Sequence, residues 1–215
     1  MIGAIQSSNS VQLLLLIGGL SLIPAVLFTV TGFTRILIVL GFIRTAMGTT
    51  TTPPNQVLVG VALFLTLFVM HPTIDQIKNE AYEPLIHHKI STETAIDRAQ
   101  EPLREFMFNQ VKPEDLTLFI SMANIKPVPS TRKGVPTYVL IPAFILSELK
   151  TSFAIGFLIF LPFLIIDLIV SSTLMSVGMM MLPPTFISLP FKILLFVLVG
   201  GWDLITRALV TSFHG

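Results

Sequence analysis

The sequence contains no cysteine. That removes disulfides and thiolate metal sites from consideration. Charge is scarce as well: 12% of the 215 residues are charged, where a soluble domain carries about a quarter. No charged side chain precedes Arg35. The basic start of a secretory signal is therefore missing, and residues 11–33 are expected to be a retained apolar segment. The net charge of +1 gives no footprint for a nucleic-acid partner. P-loop, GxGxxG, HExxH and GxSxG strings are all missing, and no Ser/His/Asp constellation stands out. The expectation is a protein with no catalytic residue, no cofactor and no metal. His87-His88 reads as a solvated pair, because neighbouring side chains diverge and no zinc spacing accompanies them.

What is present is apolar. Hydrophobic residues make up 53% of the chain, and no strand-like alternation interrupts them. The expected fold is all-α, an integral membrane protein built of broken hydrophobic helical hairpins. Residues 1–70 form the first hairpin. Its segment Val11–Phe33 is long enough to cross a hydrocarbon core of about 30 Å, although Gly18-Gly19 and Pro24 interrupt it. Ile36–Ile43 is a short apolar run framed by Arg35 and Arg44. A turn over Thr49–Gln56 contains Pro53-Pro54. Val57–Met70 has the length of a buried helix.

Residues 71–138 hold nine of the twelve acids and eight of the thirteen bases. They read as an amphipathic helical domain, with a helix start at Lys112-Pro113-Glu114-Asp115 and a proline-rich loop over 124–136. Residues 139–215 form the second hydrophobic hairpin. Arg35 and Arg44, unaccompanied by acids, place the 34–56 connection on the cytoplasmic side. The middle domain then lies in the periplasm.

Two groups of residues are candidates for function. Gly178-Met179-Met180-Met181-Leu182-Pro183-Pro184 joins two apolar stretches. Methionine is unbranched and polarizable and fills irregular gaps. Met179, Met180 and Met181 are either a deformable seal hinged at Gly178, Pro183 and Pro184, or a buried turn. The second group is charged: Glu148, Lys150, Asp167 and Lys192. Charge at membrane depth usually faces a partner or water, and Lys192 is positioned to pair with Asp167. Structural ion pairing, proton movement through Asp167 and the lining of an aqueous path are the three readings.

Long strings coincide in one order: Phe33-Thr34-Arg35-Ile36-Leu37-Ile38-Val39-Leu40, Thr52-Pro53-Pro54-Asn55-Gln56-Val57-Leu58, Ser147-Glu148-Leu149-Lys150-Thr151-Ser152-Phe153, Pro162-Phe163-Leu164-Ile165-Ile166-Asp167, Gly178-Met179-Met180-Met181 and Ile187-Ser188-Leu189-Pro190-Phe191-Lys192. Together they resemble the FliP family, export-gate subunits of flagellar type III secretion, over residues 20–213. Virulence-type injectisome relatives share the framework, but the Thr52–Val57 and Met179–Pro184 strings look flagellar. Two departures are visible. The family's cleavable signal is not found, and Val199-Gly200-Gly201-Trp202 lacks the acid the family often carries before Gly-Trp, leaving Asp203 nearest.

The resemblance implies a helical ring of like copies with FliQ-like and FliR-like subunits, lifted toward the periplasm from the bacterial inner membrane. It also implies further export-apparatus membrane proteins of the flagellar basal body as partners, and unfolded flagellar proteins as the substrates exported. In this family the methionine loop lines the constriction as a gasket, and burial between subunits favours structural pairing of the four charges. The alternative is a secondary transporter or proton-channel subunit.

Overall fold

The computed structural model describes Gly18, residues 24–179 and residues 182–213. Every regular element among the described residues is helical. Helices α1 (Pro24–Val30) and α2 (Phe33–Ala46) meet at 83°. The bend falls at Thr31-Gly32, where the backbone passes so close to Phe213 that a Cβ on Gly32 would lie 2.7 Å from its ring. Apart from Gly18, the part of the expected first segment before Pro24 lies outside the described residues.

Helix α3 (Asn55–Ile77) starts immediately after Pro54. It continues through one π turn (Lys78–Tyr82) into α4 (Glu83–Ile86), giving 32 helical residues. This corrects the expected short buried helix over Val57–Met70 in two respects. The helix is longer, because Pro72 withholds only its own N–H and the turns on either side stay bonded. It is also largely bare. Leu58, Ala62, Thr66, Val69, Met70 and Thr73 form one buried strip at three- and four-residue spacing, while Phe64, Leu67 and Phe68 face outward. A helix apolar on all sides belongs in a membrane or among other helices.

Helix α5 (Thr92–Gln110) is capped by Ser91, whose hydroxyl accepts the Thr94 N–H at 3.2 Å. Helix α6 (Pro113–Met122) has proline at its start and Glu114 and Asp115 in its first turn, which matches the start read from the sequence. The 123–136 connection is tied to α5 by Arg104, which donates to the carbonyl oxygens of Arg132 and Val135. Helix α7 (Thr137–Ser176) runs unbroken for 40 residues past Pro142 and Pro162. It pairs with α8 (Pro184–Leu198), and α9 (Gly201–Thr211) departs from α8 at 65°.

The core lies where α2 crosses the first half of α7. Helix α2 contributes Phe33, Ile36, Val39, Leu40 and Ile43. Helix α7 answers with Leu140, Ala143, Phe144, Ser147, Ser152 and Gly156. The small residues bring the helices close together: a Cβ on Gly156 would lie 2.5 Å from the Phe42 ring. One apolar cluster draws on residues from Val30 to Phe213 and so joins the two hydrophobic ends of the chain with the polar middle. After Gly156, Phe163 is the one further residue of α7 that is buried. The rest of α7 is exposed or half-buried, the outer side of α8 is exposed, and the most apolar 18-residue stretch of α7 is only 11% buried. Among the described residues, two helices are long and apolar enough to cross a membrane, or up to four if each bent pair is one span.

Candidate functional site

Three internal ion pairs organise the charged residues. The deepest is built on Arg35, which is 2% exposed, and Glu148, which is fully buried. The Arg35 Nε donates to Glu148 Oε2 at 2.9 Å, and one terminal nitrogen donates to Glu148 Oε1. That same nitrogen donates to Gln110 Oε1 at 2.9 Å. The other donates to the Ser212 carbonyl at 2.8 Å and to its hydroxyl at 3.1 Å. All five guanidinium N–H groups thus have acceptors. The ring of Phe213 lies 3.9 Å below the guanidinium carbon, and its carbonyl accepts from Gln110 Nε2. One side chain thereby joins α2, α5, α7 and the turn after α9.

This arrangement corrects the orientation argument. Arg35 lies inside a helix and is spent on a buried partner, so it does not act as a loop charge. Of the two arginines invoked, Arg44 remains available to a positive-inside argument, and it donates to Asn55 and to the Pro53 carbonyl.

The second pair carries Lys150. Its ammonium donates to Asp115 Oδ1. Ser147 Oγ donates to Asp115 Oδ2 at 2.7 Å and accepts the Lys112 N–H at 2.9 Å. Burial pushes the Asp115 carboxyl up. The hydrogen bonds from Lys150 and Ser147, with the positive charges of Lys150 and Lys112, more than offset this and hold it below its ordinary value. Asp115 was legible only as a first-turn helix acid. Its burial comes from α6 packing on α7, which local sequence does not show.

Between the helices of the hairpin, Lys192 Nζ donates to Asp167 Oδ2 at 2.6 Å, and Ser188 Oγ donates to Oδ1 at 2.6 Å. Lys192 and Ser188 are buried. Both carboxylate oxygens are engaged. The four charges named from sequence are thus divided among three pairs, with Arg35 and Asp115 as the partners that sequence reading missed. Asp203, the acid nearest the departing Gly-Trp string, pairs with Arg207 one turn on, on the exposed side of α9.

The tip of the hairpin is closed by backbone bonds. Gly178 N–H bonds to the Met175 carbonyl at 3.1 Å, and Met179 N–H bonds to the Leu174 carbonyl at 3.0 Å. Gly178 has φ +77°, the left-handed conformation that ends a helix in a Schellman turn and that glycine adopts without a Cβ penalty. Pro183 precedes and Pro184 begins α8, where a missing N–H costs nothing. Met175, Val177, Met179 and Leu182 are exposed at this tip. Met180 and Met181 lie outside the described residues.

The fold and these sites define an all-helical membrane protein that pairs its buried charges internally and presents apolar surface along its long helices and at a methionine-bearing tip. Comparison with known proteins narrows the class. The FliP family model matches residues 16–209. The flagellar biosynthetic protein FliP of Bacillus subtilis (strain 168) is 54% identical over 206 residues, which cover 96% of this chain and 93% of that one. Its namesake in Pectobacterium carotovorum is 54% identical over 205 residues, 95% of this chain and 79% of that one. The Aquifex aeolicus protein of the same name is 47% identical over 208 residues, 96% and 87% of the two chains. The chain belongs to the FliP family, and is thereby a membrane component of flagellar biosynthesis and export.

Proposed function

We propose that this protein is a core subunit of the flagellar type III export gate. It forms an inner-membrane channel with further copies of itself and with FliQ-like and FliR-like subunits, and it passes unfolded flagellar proteins outward. The observation that carries this reading is the contrast between satisfied charges inside and bare apolar helix faces outside. A hairpin that met only lipid and water would end in polar residues, whereas the tip at Gly178 exposes Met175, Val177, Met179 and Leu182. Helix interruptions at membrane depth are tolerated where other protein covers them. Arg44 keeps the 34–56 side cytoplasmic in this reading, and residues 71–138 face the periplasm. Both oxygens of Asp167 are engaged by Ser188 and Lys192, which favours a structural role over proton transfer.

Met179, Met180 and Met181 from several copies close the channel around its axis. Apolar contact stabilises the closed ring by about 25 cal/mol per Å² removed from water, and thioether flexibility lets it re-form around different substrates. Particle images of the purified complex test the ring, which is expected to show an axial constriction. An assembly with no axial path would count against the proposal. Replacing all three methionines by alanine is expected to preserve assembly and raise resting ion conductance. Asp167→Leu strands Lys192 and is expected to reduce recovery of the complex. Full recovery with lost motility would point instead to transport through Asp167.

A further inference from the structure

Helix α7 contains one methionine in its 40 residues, Met175, in the last turn before the tip. The large exposed apolar residues earlier in the helix, among them Phe157, Leu158, Leu164, Ile165, Leu168 and Ile169, are branched or aromatic. Helix formation does not select methionine here, because leucine and methionine have nearly equal propensities. Core packing does not select it either, because Met175 is 62% exposed and Met179 is 44% exposed, whereas Met47, Met70 and Met107 are buried in the core.

The backbone fixes Met175 with respect to the tip. Its carbonyl accepts the Gly178 N–H, and the carbonyl just before it accepts the Met179 N–H. Met175 and Met179 thus belong to one hydrogen-bonded turn, and both carry unbranched, exposed side chains. We propose that Met175 is a seal residue in its own right, forming a second tier beside Met179. This rests on the gasket reading of the tip. It adds that the barrier is deeper than one layer of side chains, so that water is excluded over more than one contact. Val177 and Leu182 are exposed at the same tip, but they are branched, and a β-branched side chain such as Val177 is stiff at χ1. They suit a fixed rim, whereas Met175 can follow a passing chain.

The test uses the complete complex in cells, with resting conductance to small ions as the readout and recovery of the assembled complex measured in parallel. Met175→Ala is expected to raise resting conductance about fivefold or more, the factor that about 1 kcal/mol of closing free energy represents. Added to the triple alanine variant of Met179, Met180 and Met181, it is expected to increase the leak further. Met175→Leu keeps the volume and is expected to keep the seal while slowing export.

An assembled Met175→Ala complex with wild-type conductance, together with a quadruple variant no leakier than the triple, overturns the inference. The gasket reading survives that result if the triple leaks, and falls if it does not. Should Met175→Ala fail to assemble, Met175→Cys with a small water-soluble thiol reagent takes its place. Modification that alters conductance supports the second tier, and modification without effect refutes it.

Discussion

Removing Arg35 should damage this protein about as much as truncating a large apolar side chain in its core. Arg35→Met leaves the fully buried Glu148 facing an uncharged side chain, and it withdraws donors from Gln110 and from the Ser212 carbonyl. Loss of one member of a buried pair costs about 3–5 kcal/mol, a large fraction of the roughly 5–15 kcal/mol that holds a domain folded. Arg35→Lys keeps a charge, but three donors on a point charge cannot reproduce the fork to Glu148, Gln110 and Ser212 or the stacking on Phe213. It should fall between wild type and the methionine variant. The informative variant is the double, Arg35→Met with Glu148→Leu. No uncompensated charge remains there, and replacing a buried pair by apolar groups is often close to neutral. The double should therefore recover about 2 kcal/mol or more relative to the sum of the singles, within the coupling range for one network. Unfolding of the purified chain in detergent, followed by far-UV circular dichroism, measures all four proteins of the cycle. Additive losses, or single variants within about 1 kcal/mol of wild type, would refute the reasoning.

The Asp115 pair carries a pH signature. Its carboxyl is held below the ordinary range, so its contribution is complete above the unfolded value of about 3.9 and is lost as pH falls through the lower folded value. The stability gap between wild type and Asp115→Asn should be open near about pH 6 and should close in strong acid; a gap independent of pH would contradict this. Gly156→Ala drives a Cβ to 2.5 Å from Phe42 and should cost about 1–3 kcal/mol by overpacking. Adding Phe42→Leu should restore part of that loss, which the same unfolding assay reads. For orientation, Glu93→Cys should react with a membrane-impermeant maleimide in intact spheroplasts, and reaction only after lysis would reverse the assignment.

Legibility in the sequence followed the range of each interaction. The start of α6 at Pro113, the hairpin of α7 and α8, and the nearness of Asp167 to Lys192 all rest on chemistry within about two dozen residues. Capping residues, prolines and apolar runs express such chemistry directly. Arg35 and Glu148 are 113 positions apart, and no local pattern announces their contact. An arginine at the edge of an apolar run looks like a loop charge until α7 is seen crossing α2. Asp115 posed the same difficulty, because a carboxylate in a first turn serves the helix dipole whether or not it is buried. The full length of α3 was hidden because the apolar run ends at Met70, while the helix continues through the polar residues that follow.

The reach of Arg35 across the chain also bears on how the protein is made. Synthesis runs from the N-terminus, and the acceptors of this guanidinium appear far apart in time. Gln110 comes first, then Glu148, and finally Ser212, which lies 177 residues downstream. At about 5–20 residues per second, the last acceptor leaves the ribosome about 10–35 s after Arg35. Until Glu148 is made, 113 residues after Arg35, α2 carries a cation that its own fold does not yet neutralise. Water or lipid phosphate can hold it meanwhile, and its set of acceptors is complete only when the C-terminal turn has been made. The first charged side chain to be made is thus among the last to gain all its acceptors.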